Sequence, residues 1–180
     1  MKSTRVALSS RLIGPDRSPT LPAKQAVLKT LSHALLVSRT LAFVQGFHLI
    51  AEASRQRQWH IPLHTVASVW QAGCILRGEL LKPIEAAFAQ APDDLLLTHP
   101  PIEQTLNRHQ LDLRQTVQWA HSFGVAVPCM SSALDHWDSM RTAVSSARLI
   151  QAQRDYFGAH TYERIDRPGF FHTDWHPASD

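Results

Sequence analysis

The sequence predicts an all-α fold. Glycine is scarce, at 7 residues in 180, while alanine and leucine are plentiful, and that balance favours helix. No proline occurs between Ala23 and Gln58, a stretch long enough for a helix of about 50 Å. No segment shows the sustained apolar–polar alternation of a half-buried strand. A chain of 180 residues suits one domain with a real core.

The elements follow from punctuation and period. "GPDRSPTLP", Gly14 to Pro22, carries three prolines and reads as a break after a short first segment. In the long helix, Leu28, Leu31, Leu35, Ser38, Ala42, Gly46, Leu49 and Ala53 recur at steps of three and four and predict its packed face. Gly46 on that face predicts the close approach of another helix. Pro62 ends the run, and Thr65 is placed to cap a short helix. Gly73 interrupts that helix before a longer amphipathic stretch reaching Gln90. "HPPIEQTLNRHQLDLRQTVQWAHSFG" predicts a helix opened by proline and closed by Gly124. After Pro128, Ser131 or Ser132 is placed to cap "SSALDHWDSMRTA". A last helix is expected from Ser146 to Phe157, so that residues 1–157 form a helical domain and 158–180 an irregular aromatic tail.

Composition excludes some functions. The net charge of +3 is small and its cations are scattered, which hints at an anionic ligand but not at nucleic acid. Arg39, Gln45, His48 and Glu52 interrupt the most apolar stretch, Ala34–Ala53, so no membrane span is expected. Lys2 and Arg5 precede no apolar run of the secretory kind, and although the first acid is Asp16, as in a transit peptide, no targeting segment is expected. Cys74 and Cys129 form no CxxC pair and lie among apolar neighbours, which suits buried free thiols in a reducing cytosol.

Arg154 and His160 are the most suggestive pair. Arg154 falls in the last turn of the final helix, Gly158 is placed to supply a left-handed reversal, and His160 can then fold back. Guanidinium and imidazole together suit a phosphate, although a helix C-terminus favours cations by its dipole alone. Arg77 is a lone cation on an otherwise apolar predicted helix, where it snorkels, pairs with Glu79 or meets a ligand. His60 and His64, and likewise His172 and His176, are four residues apart, but that spacing serves a metal only on a helix and both stretches contain or adjoin proline, so no metal site is expected. Asp135, His136 and Asp138 tempt a catalytic reading, yet Asp138 and Arg141 are spaced for a surface ion pair. There is no GxGxxG, P-loop or nucleophile elbow.

"LIQAQRDYFGAHTYERIDRPGFFHTDW", Leu149 to Trp175, closely resembles the C-terminal signature of the decarboxylating 6-phosphogluconate dehydrogenases. "STRVALSSRLIGP", "FVQGF", "WQAGCILR" and "PCMSSALDHWDSMR" resemble further motifs of that family in the same order. The resemblance implies a helical, dimer-forming, cytoplasmic domain with a long central helix and a tail that reaches a partner subunit. It implies that Arg77, Arg154 and His160 bind the phosphate of 6-phosphogluconate. The family reaction is NADP-dependent oxidative decarboxylation to ribulose 5-phosphate in the pentose phosphate pathway. Its Rossmann domain and its acid–base lysine and glutamate belong to the part that precedes these motifs. No catalytic or cofactor-binding residue is therefore expected here, and these 180 residues alone are expected to be inactive. The alternative is a truncated or split-gene product acting as a non-catalytic dimerisation or regulatory module. Gln71 and Ala72 replace the family's Arg and Gly, and "SSAR", Ser145–Arg148, stands where "LPAN" is usual.

Overall fold

The computed structural model describes residues 1–15 and 20–175. Residues 16–19, inside the proline-rich break, and His176 with the final four residues lie outside them. Among the described residues the chain forms α1 (Lys2–Ser9), α2 (Lys24–Arg57), α3 (Leu63–Trp70), α4 (Leu81–Gln90), a 3-10 turn (Leu96–Thr98), α5 (Pro100–Ser122), α6 (Pro128–Met140), α7 (Ala147–Gly158), and the two-residue strands β1 (Tyr162–Glu163) and β2 (Phe170–Phe171). The fold is therefore helical, as composition predicts. It divides into two compact units, Met1–Trp137 and Asp138–Asp180.

The first unit is built on α2. At 34 residues and 1.5 Å per residue this helix is about 51 Å long. It ends without glycine: Gln58 takes the left-handed conformation at φ 55°, and the Trp59 amide donates to the Ser54 carbonyl at 2.9 Å. Ser54 Oγ then accepts the Ile61 amide at 2.9 Å, which holds the turn ahead of Pro62. Ala34, Val37, Leu41, Val44 and Phe47 are buried, joined in one core by Leu81, Ile84 and Phe88 of α4 and by Ile102, Leu106, Leu113 and Val117 of α5. Phe47 sits between the rings of Trp70 and Phe88, with centroids 5.2 and 5.1 Å away.

The packed face of α2 is not the predicted one. Of the predicted series only Ser38 is buried, while Leu28, Leu31, Leu35 and Leu49 are exposed at 39–71%. The helix is apolar on two sides, so its period marks two stripes and cannot say which one this chain covers. Nothing lies within 4 Å of where a Cβ on Gly46 would stand, so the helix expected there is not supplied by this chain's described residues. By length and composition α2 is also long and apolar enough to cross a membrane, but its other stripe forms the core with α5.

Caps differ from expectation for local reasons. α3 starts at Leu63 with Pro62 at its N-cap, so Thr65 lies in the first turn, its amide already bonded to the Pro62 carbonyl at 3.1 Å. α6 starts at Pro128, which pre-sets the helical φ, and the Ser131 amide bonds to the Val127 carbonyl; Ser131 and Ser132 are interior. α5 keeps its predicted ends, with Pro100 opening it and Gly124 at φ 67° closing it. Cys74 is half-buried and Cys129 exposed, both free, so neither is the fully buried thiol expected; α6 packs through Met130, Ala133 and Leu134 instead.

The second unit holds α7 and the hairpin that follows. β1 and β2 pair antiparallel, Tyr162 opposite Phe171 and Glu163 opposite Phe170. Two-residue strands are too short to show alternation, so sequence period could not reveal them. Gly169, at φ 117°, makes the bend before β2.

Candidate functional site: the end of α7 and the Arg77 turn

Asp155 organises the second unit. It follows Arg154 on α7 and is fully buried, at 0% exposure. Its Oδ1 accepts the Thr161 amide at 3.0 Å and His172 Nδ1 at 2.9 Å. Its Oδ2 accepts the Thr173 amide at 3.0 Å and Trp175 Nε1 at 2.9 Å. Burial by itself raises a carboxyl pKa, but donation from Thr173, His172 and Trp175 outweighs it and holds Asp155 down at about 2, against an ordinary 3.8. Thus one carboxylate ties both arms of the hairpin to the helix. Tyr162 Oη and Thr173 Oγ1, 2.6 Å apart, close the hairpin's side, and Arg167 lies over the Phe171 ring at 4.6 Å.

The reversal at the end of α7 is not made by glycine φ. Gly158 is the last helical residue, and the left-handed residues are Ala159 at φ 48° and Thr161 at φ 64°. Such conformations cost roughly 1–2 kcal/mol for a side-chain-bearing residue. They persist because the Ala159 amide bonds to the Asp155 carbonyl at 2.9 Å and the Thr161 amide to the Asp155 carboxylate. Gln151 Nε2 donates to the Thr161 carbonyl and secures the same turn.

What Gly158 provides is room. A Cβ there would lie 2.7 Å from both Cδ2 and Nε2 of His160, well inside contact distance. The His160 ring is therefore folded back against the Gly158 backbone, edge-on to Phe157 at 6.5 Å. Arg154 and Gly158 are four residues apart on α7 and share a face. The turn thus returns the imidazole to the helix end that carries the guanidinium. Both side chains are exposed, and neither has a carboxylate partner among the described residues.

Arg77 belongs to the first unit. It sits in turns between α3 and α4, not on a helix, because Gly73 at φ 67° breaks the run and α4 begins only at Leu81. It is exposed, and Glu79 pairs with Lys82 at 2.8 Å rather than with Arg77. A residue that sequence reasoning missed lies beside this turn: a Cβ on Gly78 would stand 3.4 Å from Arg39 Nη2. The available signal was an arginine inside the apolar run of α2. Gln71, one of the family departures, bonds through Nε2 to Glu85 and joins the end of α3 to α4. Ser145, another, bonds through Oγ to the Ala147 amide at 3.1 Å at the start of α7.

The remaining candidates are structural in their geometry. His60 precedes α3 at φ 55°, so His60 and His64 do not share a helix face. His172 serves Asp155, and its predicted companion His176 lies outside the described residues. Asp138 pairs with Arg141 at 3.0 Å.

Comparison with known proteins agrees with this architecture. The family described as "6-phosphogluconate dehydrogenase, C-terminal domain" matches residues 1–175. A Bacillus subtilis protein described as "6-phosphogluconate dehydrogenase, NADP(+)-dependent, decarboxylating" is 42% identical over 97% of this chain and 38% of its own length. A second B. subtilis protein, described as NAD(+)-dependent, is 38% identical over the same shares. A solved structure of Plasmodium falciparum 6-phosphogluconate dehydrogenase, studied apo and in complex with NADP+ and with 6-phosphogluconate, superposes with a TM-score of 0.87 at 29% identity, covering 97% of this chain and 38% of that one. The chain thus spans about 38% of the length of the relatives it matches. Over nearly its whole length, it belongs to the 6-phosphogluconate dehydrogenase C-terminal domain family.

Proposed function

We propose that this domain anchors the phosphate of 6-phosphogluconate and dimerises, within an enzyme of the pentose phosphate pathway that oxidatively decarboxylates that substrate to ribulose 5-phosphate. The observation that carries the reading is the exposed, carboxylate-free pair at the end of α7, with His160 folded onto the helix face of Arg154. A charged fork and an imidazole N–H at one helix end suit a phosphate dianion. By the same family resemblance Arg77, an exposed cation of the first unit with Arg39 near its turn, is a further candidate for the phosphate. These groups bind and orient; none is placed as the acid or base of the reaction.

The exposed α2 stripe and open Gly46 support a second copy of the chain as partner. The residues present do not fit a dinucleotide cofactor. The described residues contain no strand–glycine loop–helix unit, and the strands are two residues long. NADP is accordingly assigned to a domain outside these residues. The cytoplasm remains the expected compartment.

Isothermal titration of the chain with 6-phosphogluconate and with gluconate tests this directly. Binding that needs the phosphate and weakens by about tenfold or more in Arg154→Ala supports the reading. Equal binding of gluconate, or indifference to Arg154→Ala, refutes it. A chain that dimerises but binds neither ligand would favour the non-catalytic module.

A further inference from the structure

We propose that His33, His109 and Asp112 form a binding site for a divalent transition-metal cation of the zinc class, which clips α2 to α5. The site lies wholly within the first unit. It goes beyond the phosphate reading and does not rest on it.

His109 and Asp112 are three residues apart on α5 and so share a face. His33 reaches them from α2, 79 residues earlier than Asp112. Asp112 Oδ2 lies 2.9 Å from His33 Nδ1 and 3.2 Å from His109 Nδ1. The two imidazoles are tilted at 42° with centroids 4.0 Å apart. Each of the three residues offers a ligand atom within 4.8 Å of the others. Two imidazole rings and a carboxylate therefore converge on one point from two helices.

The donor chemistry selects the cation. Two nitrogens and one carboxylate oxygen match the three-ligand sets of zinc and its first-row neighbours. Calcium and magnesium ask for oxygen ligands, and copper(I) or an iron–sulfur cluster for thiolates, of which this site has none. With neutral imidazoles the site carries one negative charge, which suits a dication. Tetrahedral zinc with arms of about 2.0–2.1 Å needs donors roughly 3.3 Å apart, so the rings must swing inward by about 1.5 Å or less. Room for that exists, because the His33, His109 and Asp112 side chains are 26%, 19% and 27% exposed. The same exposure admits the cation and leaves water as the fourth ligand.

Without a metal, the trio is a carboxylate bridging two Nδ1–H donors. With it, each coordinating nitrogen gives up a proton or turns its lone pair inward, and the two helices are joined by bonds rather than by one shared acceptor.

The test uses the full chain, stripped with a chelator, and zinc chloride alone. Titration calorimetry is expected to show one equivalent bound, with a rise in melting temperature. Imidazole 15N resonances of His33 and His109 are expected to move, while those of His60 and His64 stay. His33→Gln and His109→Gln should each weaken binding by about tenfold or more, and His60→Gln should not. Should either variant fail to fold, the wild-type imidazole shifts decide alone. Absence of stoichiometric binding, shifts confined to other histidines, or binding that survives both substitutions would overturn the proposal.

Discussion

Replacing Gly158 with alanine separates fold from function at the end of α7. The new Cβ would stand 2.7 Å from Cδ2 and Nε2 of His160, where ordinary carbon contacts begin near 3.5 Å, so the ring must retreat by roughly 1 Å. The retreat is cheap, because a side-chain end moves and not backbone. Gly158 is helical, and alanine there adds helix propensity of up to about 1 kcal/mol. The variant is therefore expected to melt at or slightly above the parent temperature. Binding should tell a different story. If the imidazole makes one charge-assisted bond to phosphate, its displacement costs about 1.5–3 kcal/mol, or roughly 10–150-fold in Kd. Calorimetry with 6-phosphogluconate and a thermal melt on the same sample measure both quantities. A double-mutant cycle sharpens the attribution: Gly158→Ala should add little to His160→Ala. Parent-like affinity, or an effect that persists in full when His160 is already alanine, would refute the argument that Gly158 exists to seat that ring.

Other consequences follow from burial and charge. The depressed Asp155 pKa means the unfolded chain takes up a proton that the folded chain resists. Its stabilising contribution is thus whole above pH 3.8 and is lost as pH falls through about 2, readable as a carboxyl 13C titration midpoint near 2. Asp155→Asn turns an amide NH2 toward some of the four donors, so trypsin should cut after Arg164 in the variant and spare that bond in the parent at the same pH. Phe47→Ala empties a site exposed by 1% and should cost about 3–5 kcal/mol in a denaturant titration; a loss under about 1 kcal/mol would mean the aromatic cluster is looser than its ring distances indicate. Leu35→Lys puts charge on the exposed stripe of α2 and should convert dimer to monomer in sedimentation, whereas a parent chain that sediments as monomer would dismiss that stripe as an interface.

Much of the helical framework was legible because proline and glycine mark its ends. Pro62, Pro100, Gly124 and Pro128 each bound an element near where they predict, and α2 runs within a residue of its expected limits. The choice of face on α2 was not legible, since a helix apolar on two sides gives one period for two partners. Arg154 and His160 were singled out by motif, but the device that brings their side chains to one helix end was not legible. Asp155 reads as an ordinary acid in a helix, and its donors lie 6, 17, 18 and 20 residues on, a pattern that no local rule links. Arg77 was placed on a helix because Gly73 looked like an interruption within one, whereas α3 has already ended at Trp70 and α4 begins only at Leu81. His33 and His109 meet only through the packing of α2 on α5, which period alone does not register.

The single anchor at Asp155 also sets how the second unit comes into being. All four of its bonds close loops of at most 20 residues, so forming them needs no long search through the chain. α7 has only 12 residues, too few to hold as an isolated helix in water, and strands of two residues cannot hold each other. Helix and hairpin must therefore appear together, as one short cooperative event on the timescale of a hairpin, about 1–10 μs. The turn at the end of α7 would then be among the earliest ordered parts of the chain, complete before the distant α2–α5 contacts have found their register.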